Sequence, residues 1–366
     1  MAGLIVHEWL EKHGGAEEVV SEFRNIFPDS KLLALWKDNS DARWRDAEVT
    51  VLQRLSSHLP KAALLPLMPS VWANAAKGMD FEWMLVSSHL FAHQIQMPKA
   101  NVLSPKYVYV HSPARYLWEP EVDGRANKSV RRAAIPPLRS LDRALACREA
   151  SKVAANSNFV KNRISRAWGL EAEVIYPPVN VLGIESGLPA LGADELETLD
   201  ALPESFLVFA SRLVPYKRLD LAIEVAHKCN QPLVVIGQGP MMASAQAKAL
   251  QLGAEVIFLG FVSRRLMISV IRLAQAMIFP AIEDFGILPV EAMALGTPVL
   301  ASCIGGTTET VKHGVSGFLT DFKDPHEAAR LVEKCKVLDR QSVQETAKKF
   351  DKQNFSNSIV EWMGVA

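Results

Sequence analysis

The sequence predicts an α/β protein of two domains, each a doubly wound parallel sheet. Three observations carry this. At 366 residues the chain exceeds one ordinary core, so two domains are expected. Short apolar runs alternate with helical stretches along its length, the pattern of strands joined by crossover helices into a parallel sheet. Several of those runs end in glycine or a polar residue, at the strand ends where α/β proteins place ligand sites. No internal repeat at a fixed short period is evident.

Gly3-Leu4-Ile5-Val6 opens the chain as a short buried strand. His7-Glu8-Trp9-Leu10 and the paired glycines Gly14 and Gly15 follow, then a helix through about Phe27. A paired glycine between strand and helix lets backbone approach a ligand closely. It is not the G-x-G-x-x-G fingerprint, so no nicotinamide cofactor is supported. Lys31 to Trp36 and Val49 to Leu52 are strand-like, as are Glu82 to Ser87 and Tyr107 to Val110. The segment Leu59 to Pro69 is apolar, interrupted by prolines and accompanied by Arg54, His58 and Lys61. It reads either as a core-packed helix or as a surface loop touching lipid, with its basic residues at the headgroups. His111 stands where a strand ends, before Ser112-Pro113-Ala114-Arg115-Tyr116-Leu117-Trp118-Glu119. His89 ends another strand of the same sheet and is expected to line the ligand site.

From Arg125 to Arg148 a basic helix carries Lys128, Arg131, Arg132, Arg139 and Arg143, with a break expected near Pro136-Pro137. Ala154-Ala155-Asn156-Ser157 ends a strand, and Ser157 is placed to cap the helix running to Trp168. Residues 180–204 mix glycine, proline and acids without periodicity and read as linker. The expected division is a first domain over 1–180, a linker over 181–204, a second domain over 205–350 and a C-terminal helix over 351–366.

Phe206 to Ala210 opens the second domain and leads into Arg212 and Lys217 at a strand end and a helix start, where fixed cations can clamp phosphates. Val234-Val235-Ile236 ends in Gly237, and Val256 to Phe261 is followed by Val262 and by Ser263, which caps a helix. Ala276 to Phe279 reads as a buried parallel strand. Glu283 lies on the loop leaving it. Pro289 and Glu291 are expected in the first turn of the next helix, which ends at Gly296. The amides of Phe285, Gly286, Ile287 and Leu288 lie at that helix start, which leaves its first donors unpaired. Phosphate fits the amides, and sugar hydroxyls fit a carboxylate on each side.

Composition narrows the classes. Hydrophobic content of 49% with 22% charged residues is ordinary for a soluble enzyme. Cys147, Cys229, Cys303 and Cys335 are scattered, with no pair at metal-ligand spacing, which reads as a reduced, cytoplasmic chain without disulfides. The N-terminus lacks a basic leader, and no apolar run is long enough to span a bilayer. Net charge is zero, yet residues 101–170 hold 13 Lys and Arg against 5 Asp and Glu. That asymmetry suggests an anionic partner met locally, and an anionic membrane surface is one candidate; no nucleic-acid partner is expected.

The string Phe279 to Leu300, with Glu283 and Glu291 bracketing seven residues, resembles the signature of retaining glycosyltransferases of family 4. Residues 105–119, 153–179 and 208–220 resemble the same family, and His111 to Trp118 is similar to a segment of bacterial mannosyltransferases of surface-polysaccharide pathways. Ser112 replaces that segment's threonine and keeps the hydroxyl, while Glu119 replaces its commoner aspartate and keeps the charge. The resemblance implies two Rossmann-like domains facing across a cleft, the GT-B architecture. It implies retaining transfer of a hexose from a nucleotide sugar, GDP-mannose foremost, to a glycan or lipid-linked acceptor. In its terms Arg212 and Lys217 hold the diphosphate, Glu283 the sugar and Glu291 the ribose. His111 lies at the reacting face. Gly14, Gly15, Gly237, Phe261 and Val262 line the donor, and His89, Arg115, Arg131 and Arg132 lie toward the acceptor. No metal is implied, and no Asp-x-Asp triplet is present to hold one. An epimerase on the same scaffold and a non-catalytic nucleotide-sugar-binding subunit remain as alternatives.

Overall fold

The computed structural model describes residues 3–12, 14–119, 128–149, 152–185, 187 and 190–365. It divides into two units, residues 1–178 with 353–366, and residues 179–352.

The first unit holds β1 (Gly3–Leu10), β2 (Lys31–Lys37), β3 (Glu48–Val49), β4 (Trp83–Ser88), β5 (Lys106–Val110), β6 (Lys152–Ala155) and β7 (Glu173–Val174). They pair in parallel in the order β3-β2-β1-β4-β5-β6-β7. The central strands are mostly apolar, His7 and Glu8 of β1 apart, because helices cover both faces of a parallel sheet. Successive side chains alternate between those faces. Leu4, Val6, Met84, Val86, Val108 and Val110 pack with Trp72, Ile164 and Trp168 on one side. Ile5, Leu32, Ala34, Leu85 and Tyr109 pack with Val20, Phe23, Phe355 and Trp362 on the other. The helix Lys352–Met363 is tied down further: Tyr107 Oη donates to the Met363 carbonyl (2.7 Å) and Lys152 Nζ to that of Trp362 (2.7 Å).

The second unit holds β8 (Leu207–Ala210), β9 (Leu233–Ile236), β10 (Val256–Gly260), β11 (Ala276–Phe279), β12 (Val299–Ser302) and β13 (Gly317–Thr320). The order is β10-β9-β8-β11-β12-β13, again all parallel. In each sheet the strand order reverses once among the central strands, between β1 and β4 and between β8 and β11. Open α/β sheets bind ligands outside the carboxyl ends of the strands at such a reversal.

Four expectations need correction. The linker is not irregular: helices Val181–Glu185 and Ala193–Asp200 occupy it, within the second unit. The second is anchored by Glu195, which accepts from the Gly192 amide (2.8 Å) and Ser263 Oγ (2.6 Å). The basic helix does not break: Lys128–Glu149 runs through Pro136 and Pro137. Each proline forfeits one amide donor, and tertiary contacts described below hold the helix. Strand β3 stops at Val49, and Leu52 already begins the helix Leu52–Ser56. Glu291 sits in the second turn of its helix, because Ile287–Ala294 starts two residues before Pro289, with Gly286 as its N-cap at φ +94°.

Candidate functional site

In the second unit the carboxyl ends of β8 and β11 carry the predicted residues. The loop after β8 can lie where it does because two glycines after β9 press against it. A Cβ on Gly237 would fall 1.8 Å from the Ser211 carbonyl oxygen, and one on Gly239 2.3 Å from that of Leu213. The close approach is therefore to the chain's own backbone beside Arg212. Arg212 is exposed, with Nη2 donating to Tyr216 Oη (3.2 Å). A short 3-10 turn, Pro215–Lys217, then leads into Arg218 in the left-handed region at φ +56°.

Lys217 reaches across to form an ion pair with Glu283 on the loop after β11. That loop is held from behind by Gly305 and Gly306. The Gly306 amide donates to the Glu283 carbonyl (2.8 Å), and a Cβ there would lie 2.3 Å from the Asp284 carbonyl oxygen. Phe285 is buried and meets the Phe350 ring edge to face at 5.4 Å, so its side chain serves the core. Gly286, Ile287 and Leu288 carry amides that open the helix. Glu291 makes a fork-to-fork pair with Arg264 at 2.9 and 2.5 Å. Phe261 is 71% exposed, three residues before Arg264, and Val262 is partly exposed.

In the first unit the ends of β1, β4 and β5 bring three imidazoles together. Ring centroids of His7 and His89 are 5.2 Å apart, those of His7 and His111 6.3 Å, and those of His89 and His111 6.4 Å. Ser87 links two of them: its Oγ meets His111 Nε2 at 2.8 Å, and its carbonyl oxygen lies 3.0 Å from His7 Nδ1. A carbonyl only accepts, so His7 carries its proton on Nδ1. Burial, then the charges of His7 and His89, push the His111 pKa well below its ordinary value; burial leads the lowering at His7. Both rings are neutral at pH 7.

Glu8 is fully buried beside them. One carboxylate oxygen accepts from the amides of Leu90 (2.8 Å), Ala92 (2.9 Å) and His89 (3.1 Å) and from Ser88 Oγ (3.2 Å). The other lies 3.1 Å from His89 Nδ1, within ion-pair range though off the ideal hydrogen-bond direction. Burial alone would raise the Glu8 pKa, but His89, His7 and the Ala92 amide outweigh it and hold the carboxyl below the usual range. At His89 burial lowers the pKa and Glu8 outweighs it, so the net shift is upward. Ligand atoms of His7, Glu8 and His89 lie within 4.8 Å of one another, close enough for a cation. Both Glu8 oxygens already face hydrogen donors and His7 Nδ1 faces the Ser87 carbonyl, so the cluster reads as a hydrogen-bonded network.

Ser112 and Glu119 meet on one partner. Arg163 pairs with Glu119 and lies 3.4 Å from Ser112 Oγ. Arg115 opens the helix Arg115–Trp118. Gly14 is extended before the helix Gly15–Ile26, and a Cβ on it would meet the Glu17 carboxylate. The side chains of Arg131 and Arg132 lie outside the described residues, as does Arg125. Glu8, Ser87, Arg163 and Arg264 were missed by sequence reasoning. Glu8 alone left a signal, an acid inside the apolar run Leu4 to Leu10.

Residues 197–355 match the family described as Glycosyl transferases group 1. A protein of Methanocaldococcus jannaschii named as an uncharacterized glycosyltransferase, MJ1607, is 33% identical over 175 residues, 44% of either chain. The D-inositol 3-phosphate glycosyltransferase of Mycolicibacterium smegmatis is 30% identical over 220 residues, 56% of this chain and 49% of the relative. The matches thus span about half the length of these curated relatives. Among solved structures, Anabaena Alr3699/HepE in complex with UDP-glucose superposes with a TM-score of 0.73 at 21% identity, over 100% of both chains. That likeness shows the fold: two parallel-sheet α/β units, as in solved glycosyltransferases.

Proposed function

We propose that this chain is a retaining glycosyltransferase that moves a hexose from a nucleotide diphosphate sugar to a glycan or lipid-linked acceptor in polysaccharide synthesis. One observation carries the reading. Arg212 and Lys217 stand at the carboxyl end of β8, beside Glu283 and the helix start at Ile287 after β11. Transfer needs leaving-group stabilisation above all, because negative charge grows on the diphosphate as the bond to the sugar breaks. The two cations and the amides of Phe285 to Leu288 supply it, without a metal. Gly237 supports the Arg212 loop. Glu283 takes sugar hydroxyls. Glu291, shared with Arg264, takes the ribose, and the base lies by Phe261 and Val262. In the first unit the Gly14-Gly15 loop faces the donor and His111 the reacting sugar as a neutral imidazole. His89, Arg115, Arg131 and Arg132 serve the acceptor.

Mannose from GDP-mannose is the donor sugar proposed, on the likeness of His111 to Trp118 and of Leu64 to Pro69 to bacterial mannosyltransferases. The UDP-glucose complex of the structurally similar Anabaena protein supports the second reading, a UDP-hexose. A ligand that binds only the folded state raises its melting temperature. Thermal shift with GDP and UDP therefore separates the two: stabilisation by UDP alone removes mannose, and stabilisation by neither removes the transferase.

Membrane contact is proposed at the segment after β3. Val51, Leu55, Leu59 and Leu67 are exposed there near Arg54 and Lys61, while Leu64 and Met68 are buried. Among the described residues no helix is long and apolar enough to cross a membrane.

A further inference from the structure

Two arginines open the helix Arg264–Leu273 that follows β10. Local rules disfavour them there. The first turn of a helix carries the positive end of its dipole, so a cation in it lowers stability. Capping does not explain them either, because Ser263 caps the helix, its Oγ accepting from the Leu266 amide (3.2 Å). Each arginine is matched by an acid from another helix. Arg265 Nε meets Glu195 of Ala193–Asp200 at 2.6 Å, which ties that short helix down. Arg264 reaches instead to Glu291 of Ile287–Ala294, with Nη1 on one carboxylate oxygen and Nη2 on the other. The Glu291 side chain is 13% exposed and that of Arg264 50%, so the pair stands at the surface with its acid end enclosed. Both residues belong to the second unit.

We propose that Arg264 is a specificity-determining residue of the nucleotide subsite, which sets the Glu291 carboxylate to select ribose over deoxyribose. The proposal rests on the transferase reading, in which Glu291 takes the ribose. The last torsion of a glutamate is broad, so an unheld carboxylate samples many orientations. A guanidinium fork narrows them, because both N–H···O bonds are kept only while the two planar groups stay aligned. Arg264 fills two of about four acceptor positions of the carboxylate and leaves the others to hydroxyls. It also neutralises an acid that would otherwise repel a nucleoside diphosphate. Lysine would supply that second effect without the first, since an ammonium is a point charge on a flexible stem. Charge and orientation therefore separate by substitution.

The test titrates the full chain by calorimetry with whichever of GDP and UDP stabilises it, and with the 2′-deoxy and 3′-deoxy forms of the same nucleotide. Wild type should bind the ribonucleotide roughly 10- to 100-fold tighter than at least one deoxy form, the range of one hydrogen bond to a charged group. Arg264→Ala should weaken binding of every form and bring that ratio close to unity. Arg264→Lys should keep the wild-type affinity for the deoxy form and still lose the ratio. Glu291→Gln should lose it as well, and adding Arg264→Ala to Glu291→Gln should take nothing further from the ratio, because the two residues act through one contact. Arg265→Ala removes the same charge from the same helix turn and should leave the ratio unchanged. Melting curves without nucleotide check the fold of each variant, and Arg264→Lys decides alone if Arg264→Ala does not fold. A wild-type ratio retained in either Arg264 variant overturns the proposal. Tighter ribonucleotide binding in Arg264→Ala also overturns it, since the pair would then compete with the ribose. A wild type that binds the nucleotide without distinguishing ribose overturns it too, and leaves the diphosphate clamp standing. If neither GDP nor UDP binds, the transferase reading fails and this inference with it.

Discussion

Lys217 and Glu283 neutralise each other across the ends of β8 and β11, so each presents the other to whatever binds there. Arg212 donates to the Tyr216 phenol and faces solvent. On the proposed reading the interaction with a diphosphate is stronger in the transition state than in the ground state, so its loss falls on turnover. Arg212→Ala and Lys217→Ala are expected to lower kcat about 10²-fold or more each, by the measure of a lost oxyanion donor. Steady-state kinetics with saturating donor check this, and near wild-type kcat in both would remove the clamp. Titratable residues of the first unit make acid stability a second residue-scale outcome. His7 and His111 have folded pKa values below the ordinary 6.5, so their contribution is present above that pH and lost as pH falls. His89 is raised and acts oppositely, favouring the fold below 6.5 and losing that effect as pH rises through its folded value. Glu8 and Asp142, both depressed, add to the loss below the ordinary carboxylate range. Calorimetry should therefore show Tm falling from pH 7 to pH 5.5, less steeply in His111→Gln; an unchanged slope in that variant would clear His111 of the effect.

The helix Lys128–Glu149 is the element that sequence reasoning treated least well. Its two prolines argue for a break by local rules, and tertiary contacts override them. Asp142 is the anchor: one oxygen accepts from His93 Nε2 (3.0 Å) and Gln94 Nε2 (2.8 Å), the other from the indoles of Trp118 and Trp168 (both 2.8 Å). Arg139 and Arg143 stack over Trp118 and donate to the carbonyls of Leu117 and Ala167. That positive charge, which the sequence offered to an anionic partner, is thus partly spent inside the unit. Asp142→Asn turns a group that only accepts into one that also donates, facing four donors. A loss of about 3 kcal/mol is expected, since a buried charge-assisted network is broken from one side. Chemical denaturation measures it, and a loss under about 1 kcal/mol would show that the carboxylate's charge is dispensable.

What was legible follows the same division. The central strands could be read because parallel strands buried on both faces are dominated by apolar residues, even where β1 admits His7 and Glu8. Caps such as Ser157, which accepts from the Val160 amide, are local. The helices at 181–185 and 193–200 are too short for periodicity to show. The partners of the candidate site were illegible because they are distant in sequence: Arg264 is 27 residues from Glu291, Arg163 is 44 from Glu119 and the His89 amide is 81 from Glu8.

At the scale of the molecule the proposed site runs on fixed charges and helix-start amides, and that choice has a direct check. Activity with the donor that stabilises the protein is expected to survive EDTA. Loss in EDTA with recovery in Mg²⁺ or Mn²⁺ would show that a metal does what Arg212 and Lys217 are assigned. Flotation with anionic vesicles addresses the segment near Arg54 and Lys61: weak binding at low salt, released at high salt, is expected, at about 1 kcal/mol per basic residue. Absence of binding at low salt would favour a soluble acceptor.

The docking of Lys352–Met363 on the first sheet has a consequence for synthesis. A ribosome finishes residue 178 long before Phe355, Ile359, Trp362 and Met363 emerge to cover the apolar face formed by Ile5, Phe23, Tyr107 and Tyr109. At roughly 5–20 residues per second the wait is on the order of 10–40 s. Through that interval the second unit can fold on its own contiguous stretch, while the nascent first unit stays open to chaperones or to aggregation. The helix Lys352–Met363 therefore closes a face whose strands are translated well before it.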